Sequence, residues 1–255
     1  SITKITRAME MIATSKMRRA QERGLAGRPY DEKIRQVIAD LAALPQNGAV
    51  PHPLLQHRPI NRAAIVLITT DRGLCGGLNA NINRSTAGFI LEQNLPVTLI
   101  CVGRKGLDFM RRYGRDIQAE FTWIGDQPSL LDTLPISRII IDDYNNGVID
   151  AAYLAYTQFV STLTQRPVIQ PILPVEPAAI PTAQNIDYIY EPNPATVLSG
   201  LLPRFVEMQI YHAVLEAIAS EQSARMVAMR NATENGGELI DDLTLMYNKA
   251  RQESI

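Results

Sequence analysis

The residues best placed to do chemistry form a glycine-rich turn after an apolar run. Residues 70–77 have the sequence T-D-R-G-L-C-G-G, and the preceding residues 63–69 are short, apolar and β-branched. Such a run is typical of a strand buried on both faces of a parallel sheet. Glycines between a strand and a helix can present bare backbone amides to a phosphate. The turn is therefore either an anion-binding loop or a tight structural turn.

The spacing of the glycines favours the structural turn. It follows G-x-x-G-G, whereas nucleotide loops use G-x-G-x-x-G or G-x-x-x-x-G-K-[ST]. The acidic residue that binds a ribose is also missing after the second strand, where Gly103-Arg104-Lys105 stands instead. We therefore predict a structural role for Asp71, Gly73, Gly76 and Gly77.

Other reactive residue types lack the spacing that catalysis or metal binding requires. The three histidines, His52, His57 and His212, are far apart in sequence. No G-x-S-x-G motif is present, and Cys75 is expected to be a small buried thiol. The adjacent Asp142 and Asp143 would point in different directions on a helix. We predict no catalytic residue, no cofactor and no metal site.

Strands and helices alternate on both sides of this turn. The predicted strands are 63–69, 97–102, 117–121, 151–159 and 167–174, and the predicted helices are 79–93, 105–112 and 129–145. This alternation indicates an α/β domain with a largely parallel sheet, which we place at residues 62–191. The proline-rich residues 45–61 are the predicted linker leading into it.

The C-terminal residues 192–255 contain the longest periodic segment of the chain. From Phe205 to Ala250 a 3-4 repeat runs without a proline, as in a coiled-coil helix. The 52 residues from Arg204 onward would span ~78 Å as a helix. A compact domain made from the rest would have a radius of gyration of about 15–17 Å. The helix must therefore protrude and needs a surface to lie against.

Residues 1–44 are the predicted partner of that helix. Their apolar stripe begins with Ile2, Ile5, Met9 and Ile12 and then shifts to Ala13, Met17 and Ala20. We expect Gly27-Arg28-Pro29 to interrupt or kink this helix. Residues 1–28 carry seven basic and two acidic side chains, whereas 204–255 carry five basic and eight acidic ones. Opposite charge and apolar stripes predict an antiparallel coiled coil.

Composition excludes several classes of protein. The net charge of −1 gives no global argument for nucleic acid or an anionic membrane. Two cysteines fit a reducing compartment better than a disulfide scaffold. No apolar run approaches the roughly 20 residues of a membrane span. Neither long helix has a clear start or stop signal, so we expect a fragment of a longer protein.

Three stretches resemble one known family. Residues 5–21 are similar to the N-terminal helix of the γ subunit of F-type ATP synthases, residues 70–79 to its signature turn, and 219–233 with 247–252 to its C-terminal helix. The resemblance covers the whole chain. The chain lacks the insertion that chloroplast and cyanobacterial members carry, which implies a bacterial-type protein without a thiol switch.

The resemblance implies a non-catalytic rotor. A Rossmann-like domain would stand at the foot of a coiled-coil shaft that turns inside a hexamer of α and β subunits and couples proton flow through the membrane c-ring to ATP synthesis or hydrolysis at β. The implied partners are therefore α, β, ε and the c-ring, with no nucleic acid and no direct membrane insertion. The implied location is peripheral, on the cytoplasmic face of the bacterial inner membrane.

The resemblance also assigns residues to these contacts. Those facing the α/β sleeve are Met9, Lys16, Glu221, Arg225, Arg251 and Gln252. Those of the foot that meets the c-ring are Tyr188, Tyr190 and Glu191. Without the resemblance, each sleeve residue would be interpreted as part of a solvated helix face.

Two other classes of function stay open at this point. The α/β domain could belong to an NADP-dependent oxidoreductase, although the glycine spacing counts against it. The basic first helix could belong to a coiled-coil adaptor or a nucleic-acid binder, which would show salt-dependent retention on DNA. Binding of NADP to the isolated chain would support the first alternative.

Overall fold

The computed structural model describes residues 2–43, 52–177 and 190–253. Its helices are α1 (Ile2–Ala43), α2 (Leu78–Gln93), α3 (Arg104–Arg112), α4 (Leu130–Asn145) and α5 (Pro194–Glu253), with a short 3₁₀ turn at Pro53–Leu55. Its strands are β1 (Ala63–Ile68), β2 (Val97–Val102), β3 (Ile117–Phe121), β4 (Ala151–Phe159) and β5 (Gln165–Leu173). The predicted α/β domain between two long helices is confirmed.

One five-stranded sheet forms the centre of the domain. Its order is β3-β2-β1-β4-β5, with β1 to β4 parallel and β5 antiparallel to β4. All six residues of β1 are buried, as its apolar sequence predicts for a central strand. The edge strand β5 contains Pro167 and Pro171, which pair in register with Thr157 and Tyr153 of β4. The largely parallel sheet was therefore predicted correctly.

The first half of α5 belongs to the core of this domain. Its buried residues recur every fourth position: Leu202, Val206, Ile210, Val214 and Ile218. They join one cluster with the sheet residues Val66, Ile100 and Leu154. Farther along, the hydroxyl of Ser220 donates to the Thr157 carbonyl at 2.9 Å. The helix is thus fixed to the sheet along five turns.

The helices α1 and α5 pack against each other in antiparallel directions. Thr6 contacts Thr233 at 2.6 Å between hydroxyl oxygens, and Glu10 pairs with Arg230 at 3.0 Å. Nearer the domain, Asp31 of α1 meets His212 of α5. As the residue number rises in α1 it falls in α5, which confirms the antiparallel pair.

The expected interruption of the first helix at Pro29 was wrong. α1 continues through Pro29, and α5 begins at Pro194, within the predicted segment 192–255, and contains Pro203. A proline inside a helix costs about 3 kcal/mol because one hydrogen bond is lost. Beyond Pro29, burial of Ile34, Ile38 and Leu41 stabilises the fold by about 1.5–3 kcal/mol for each side chain. Packing therefore keeps the helix intact where local propensity favours a break.

The predicted N-terminal stripe was wrong in its first part only. Ile2, Ile5 and Ile12 are exposed, Ile2 to 74%. Its predicted continuation, Ala13, Met17 and Ala20, is buried, and Thr6 is buried with it. A Cβ on Gly236 would lie 2.8 Å from Thr3 Cγ2, so the backbones approach closely here. Small residues form the seam, and the large apolar ones face outward.

The helix pair thus has two different halves. We call residues 13–43 of α1 with 194–226 of α5 the near half, because both segments lie at the domain. We call residues 2–12 with 230–253 the far half. In the far half, the large apolar residues of α5 are exposed: Leu239, Ile240, Leu243, Leu245, Met246 and Tyr247.

The predicted linker is only partly described. Residues 44–51 lie outside the described residues, and the following segment packs on the domain rather than crossing solvent. Leu54 is fully buried, and its carbonyl accepts a hydrogen bond from the Val175 amide at 2.7 Å.

Candidate functional site

The turn at residues 70–77 is held by its aspartate. One carboxylate oxygen of Asp71 accepts from the Arg104 amide at 3.0 Å, and the other accepts from the Trp123 amide at 2.9 Å. Arg104 is the first residue of α3, whose orphan amides need such an acceptor. Asp71 therefore ties three loops at the carboxyl edge of the sheet together.

The rest of the turn is fixed from α2 and from within. Asn79 donates to the Thr70 hydroxyl at 2.8 Å and accepts from the Thr70 amide at 3.2 Å. Gly76 has a φ of 59°, in the left-handed region that glycine tolerates. Gly77 immediately precedes α2, and the Gly73 carbonyl accepts from Arg225. All four glycine and aspartate positions predicted for the turn thus lie in one compact, internally bonded segment.

The crevice where doubly wound sheets bind nucleotides is covered by α5. That crevice lies at the carboxyl ends of the strands, where strand order reverses between β1 and β4. Here Val214, Ala217 and Ile218 of α5 line it and leave about 50 Å³. Small-molecule pockets typically occupy about 300–1,000 Å³. The remaining space is too small for a nicotinamide dinucleotide, which argues against the oxidoreductase alternative.

Both thiols are buried and protected. Burial raises the pKa of the Cys75 thiol, and it raises the pKa of Cys101 to about 12. Thiolates are the reactive form, so neither sulfur is activated. The prediction that Cys75 is a small buried thiol is confirmed.

Next to the turn, Glu221 and Arg225 form an ion pair one helical turn apart on α5. Their charged atoms lie 2.6 Å apart, and the side chains are only 15% and 12% exposed. Burial raises the pKa of Glu221, and the positive charge of Arg225 opposes that rise. The guanidinium also donates to the Gly73 carbonyl at 3.2 Å. This pair docks the turn onto the long helix.

A second ion pair closes the other side of the same groove. Lys16 Nζ lies 2.6 Å from an Asp126 carboxylate oxygen, and Gln222 donates to the other oxygen at 3.3 Å. Met9 lines the same groove of about 420 Å³, together with Asp71 and Gly73. Four predicted sleeve residues and part of the predicted turn therefore converge on one groove.

Sequence reasoning missed three residues of this groove. Trp123 is 58% exposed with a φ of 62°, and Arg72 lies 5.7 Å above its ring. Leu74 also has a positive φ and is exposed. Asp126 carries the contact to Lys16. A signal was available, since residues 122–126 follow a parallel strand, where α/β sites gather.

The remaining predicted residues lie elsewhere. Arg251 and Gln252 are exposed near the end of α5, about 39 Å along the helix from Arg225. Tyr190 packs against the core and Glu191 is exposed, just before α5. Tyr188 lies outside the described residues. Tyr190 and Glu191 thus lie at one end of α5, and Arg251 and Gln252 lie near the other.

The described ranges contain neither a candidate membrane span nor a candidate metal site. No helix there is both long enough and apolar enough to cross a bilayer. No group of three or more histidine, cysteine or acidic side chains in these ranges could hold a metal ion.

Comparisons with known proteins give a consistent result. The ATP synthase family profile matches residues 1–255. The ATP synthase gamma chain of Dehalococcoides mccartyi strain CBDB1 is 66% identical over all of this chain and 90% of its own length. The gamma chain of Herpetosiphon aurantiacus is 48% identical over 99% of this chain and 88% of its own length.

Solved structures show the same fold. A chain from the central stalk and c-ring of Tetrahymena thermophila mitochondrial ATP synthase has a TM-score of 0.71 at 23% identity, covering 90% of this chain and 99% of that one. An α/β domain carried on an antiparallel helix pair is therefore an ATP synthase central-stalk fold. The sequence relatives are more specific: this chain belongs to the ATP synthase gamma chain family.

Proposed function

We propose that this chain is the rotating central shaft of an F-type ATP synthase. It would couple proton flow through a c-ring to ATP synthesis or hydrolysis at the β subunits, without a catalytic residue of its own. Family membership supports the place in the complex, and the shape of the helix pair supports the mechanism.

The main observation in support of this proposal comes from the far half of the helix pair. α5 has 60 residues and is ~90 Å long. Where the two helices lie side by side, Ile5, Met11 and Ile12 of α1 are exposed. Exposed apolar side chains in one patch mark a surface that another protein covers. A sleeve around a narrow apolar shaft satisfies this requirement.

The near half supplies the rigid attachment that torque requires. A shaft transmits torque only if its base cannot turn within the domain. Ile210 and Leu202 are completely buried between the helix and the sheet, and Arg225 bonds the helix to the turn at Gly73. The domain and the shaft would therefore rotate as one body.

The proposed partners divide along the length of the molecule. Met9, Lys16, Glu221 and Arg225 would meet the lower rim of the α/β sleeve, with Arg251 and Gln252 higher up. Since Glu221 and Arg225 are mostly buried in contacts of their own, we assign them chiefly to holding the turn that faces the sleeve. The foot near Tyr188, Tyr190 and Glu191 would meet the c-ring. The α/β domain would carry ε, at the cytoplasmic face of the bacterial inner membrane.

Single-molecule rotation tests this proposal. Because Cys75 and Cys101 are buried, a cysteine replacing the exposed Glu176 gives one site for a rotation probe. The chain is assembled with α and β subunits from a Dehalococcoides relative, fixed through β, and supplied with ATP. We expect unidirectional stepping of the probe that stops without ATP.

A matched control is the same assembly labelled on α. That probe should stay still, because α belongs to the stator. If the assembled complex hydrolyses ATP while the probe at position 176 does not turn, the shaft proposal is wrong.

A further inference from the structure

The structure contains a second polar site, separate from the groove at the turn. A cavity of about 580 Å³ lies between α1, α5 and β4. His212 of α5 and Asp31 of α1 face each other there. This level lies within the near half, because α5 stays packed on the sheet as far as Ser220. A contact at this level affects how tightly the two helices are joined to each other.

The two groups are close but incompletely bonded. His212 Nε2 lies 3.0 Å from Asp31 Oδ2, and each side chain is only 18% exposed. Among the described residues, Nε2 forms no hydrogen bond of good geometry, and Asp31 Oδ1 has no hydrogen-bond partner. Buried polar atoms without partners destabilise a fold by about 1–3 kcal/mol each. The site therefore gains from a proton that turns the contact into a charged hydrogen bond.

The backbone of α1 makes room for the imidazole. A Cβ added to Gly27 would lie 2.4 Å from His212 Cε1, so any other residue would displace the ring. Pro29 lies between this glycine and Asp31 in the same helix. A helix interior seldom contains glycine and proline so close together, because both lower its stability. Here the glycine admits the ring that meets Asp31.

Four titratable or charged side chains line the cavity beside the imidazole. The titratable and charged side chains that line the cavity with it are Asp31 and Arg35 of α1, Glu216 of α5 and Tyr156 of β4. Arg35 is turned aside, with its guanidinium 5.0 Å above the Phe205 ring. Tyr156 stays neutral, because burial and then Glu216 raise its pKa to about 12. Of these groups, Asp31 is the one whose ion-pair contact with the imidazole is seen among the described residues.

We propose that His212 and Asp31 form a proton-dependent clasp between α1 and α5. Histidine is the residue type that changes charge between about pH 5 and 8. With the imidazole protonated, its cation pairs with the Asp31 carboxylate and the two helices are held more tightly. With the imidazole neutral, the contact weakens and the base of the pair loosens. The clasp is a property of the chain itself and does not depend on rotation.

Thermal unfolding of the whole chain at about pH 6 and pH 8 tests the clasp. The variants are His212→Gln, Asp31→Asn and the double substitution, with His57→Gln as the matched control because His57 is exposed. We expect His212→Gln to lower Tm by about 2–4 °C more at pH 6 than at pH 8. In the Asp31→Asn background this extra loss should vanish. His57→Gln should show no such difference.

Equal losses from His212→Gln at both pH values would overturn the clasp, as would an unchanged extra loss in the Asp31→Asn background. If His212→Gln does not fold, hydrogen exchange gives the answer with folded proteins. After correction for the intrinsic pH dependence of exchange, amides 27–35 of the wild-type chain should be better protected at pH 6 than at pH 8. If Asp31→Asn shows the same gain in protection at pH 6 over pH 8, the proposal is wrong.

Discussion

The near and far halves of the helix pair use the same 3.6-residue geometry for opposite purposes. In the near half, Ile38 of α1 and Ile210 of α5 are buried, and the apolar residues face inward. In the far half, the seam is Thr6 against Thr233, and the isoleucines face outward. The near half is a core that stabilises the chain by itself. The far half leaves Ile5 and Ile12 of α1 exposed beside the seam, and the predictions below test this contrast.

The largest contrast is expected for large-to-small substitutions in the two halves. Ile210→Ala should lower the free energy of unfolding by about 2–5 kcal/mol, because it leaves a cavity in the core. Ile5→Ala should change it by less than about 0.5 kcal/mol, since that side chain is already 58% exposed. Urea unfolding of the isolated chain measures both. Similar losses would show that the two halves do not differ.

Two arginine ion pairs, one in each half of the helix pair, extend the comparison. Arg225→Ala should cost about 1–3 kcal/mol, because it leaves the largely buried Glu221 without its partner and frees the Gly73 carbonyl. Arg230→Ala, which breaks the pair with Glu10, should cost at most about 1 kcal/mol, because Arg230 is half exposed. Urea unfolding of both variants at one salt concentration tests the ranking. The reverse order would place the rigid part of the shaft in the far half.

Glu221, in the near half, should make the stability of the chain depend on pH. Burial raises the pKa of Glu221 in the folded chain, so folding favours its protonated form. Stability from this group is therefore complete below the unfolded pKa and declines as pH rises through the raised folded pKa. Relative to Glu221→Gln, the wild-type chain should lose stability over that range. Unfolding midpoints from about pH 4 to pH 8 measure it, and parallel curves would contradict it.

The smallest effect is expected at the polar seam of the far half. Each hydroxyl of the Thr6–Thr233 pair is also bonded to its own helix, Thr6 to Thr3 and Thr233 to Met229. Replacing both threonines by valine removes donors and acceptors together, which is close to neutral. We expect a change within about 1 kcal/mol in urea unfolding. A loss of several kcal/mol would mean that the seam is a second core.

Much of the fold follows from local patterns. The β-branched strands, the turn that ends β1 and the long 3-4 repeat of α5 each depend on neighbours in sequence. The interruption expected at Pro29 was wrong because the burial of Ile34 and Ile38 beyond it is a tertiary effect that local propensity does not contain. The outward stripe was misjudged for a similar reason. Apolar periodicity shows which side of a helix is covered, but not whether its own chain or another protein covers it.

The candidate site was predictable only in part. The glycine-rich turn stood out by composition, and Lys16 and Arg225 were identified by resemblance. Asp126 and Trp123 were missed because their roles depend on pairing across more than 50 residues. The contact between His212 and Asp31 was missed for the same reason, since the space that admits the ring exists only once Gly27 faces α5.

The two prolines of β5 have a consequence for the chain before assembly. Pro167 and Pro171 are four residues apart, so both occupy the same side of the strand, and β4 already pairs with the other side. The outer edge of β5 therefore lacks the amide donors of residues 167 and 171, with which an incoming strand would form hydrogen bonds. Newly made chains are thereby discouraged from pairing their sheets edge to edge into aggregates. A subunit that displays an uncovered apolar shaft has particular need of such protection.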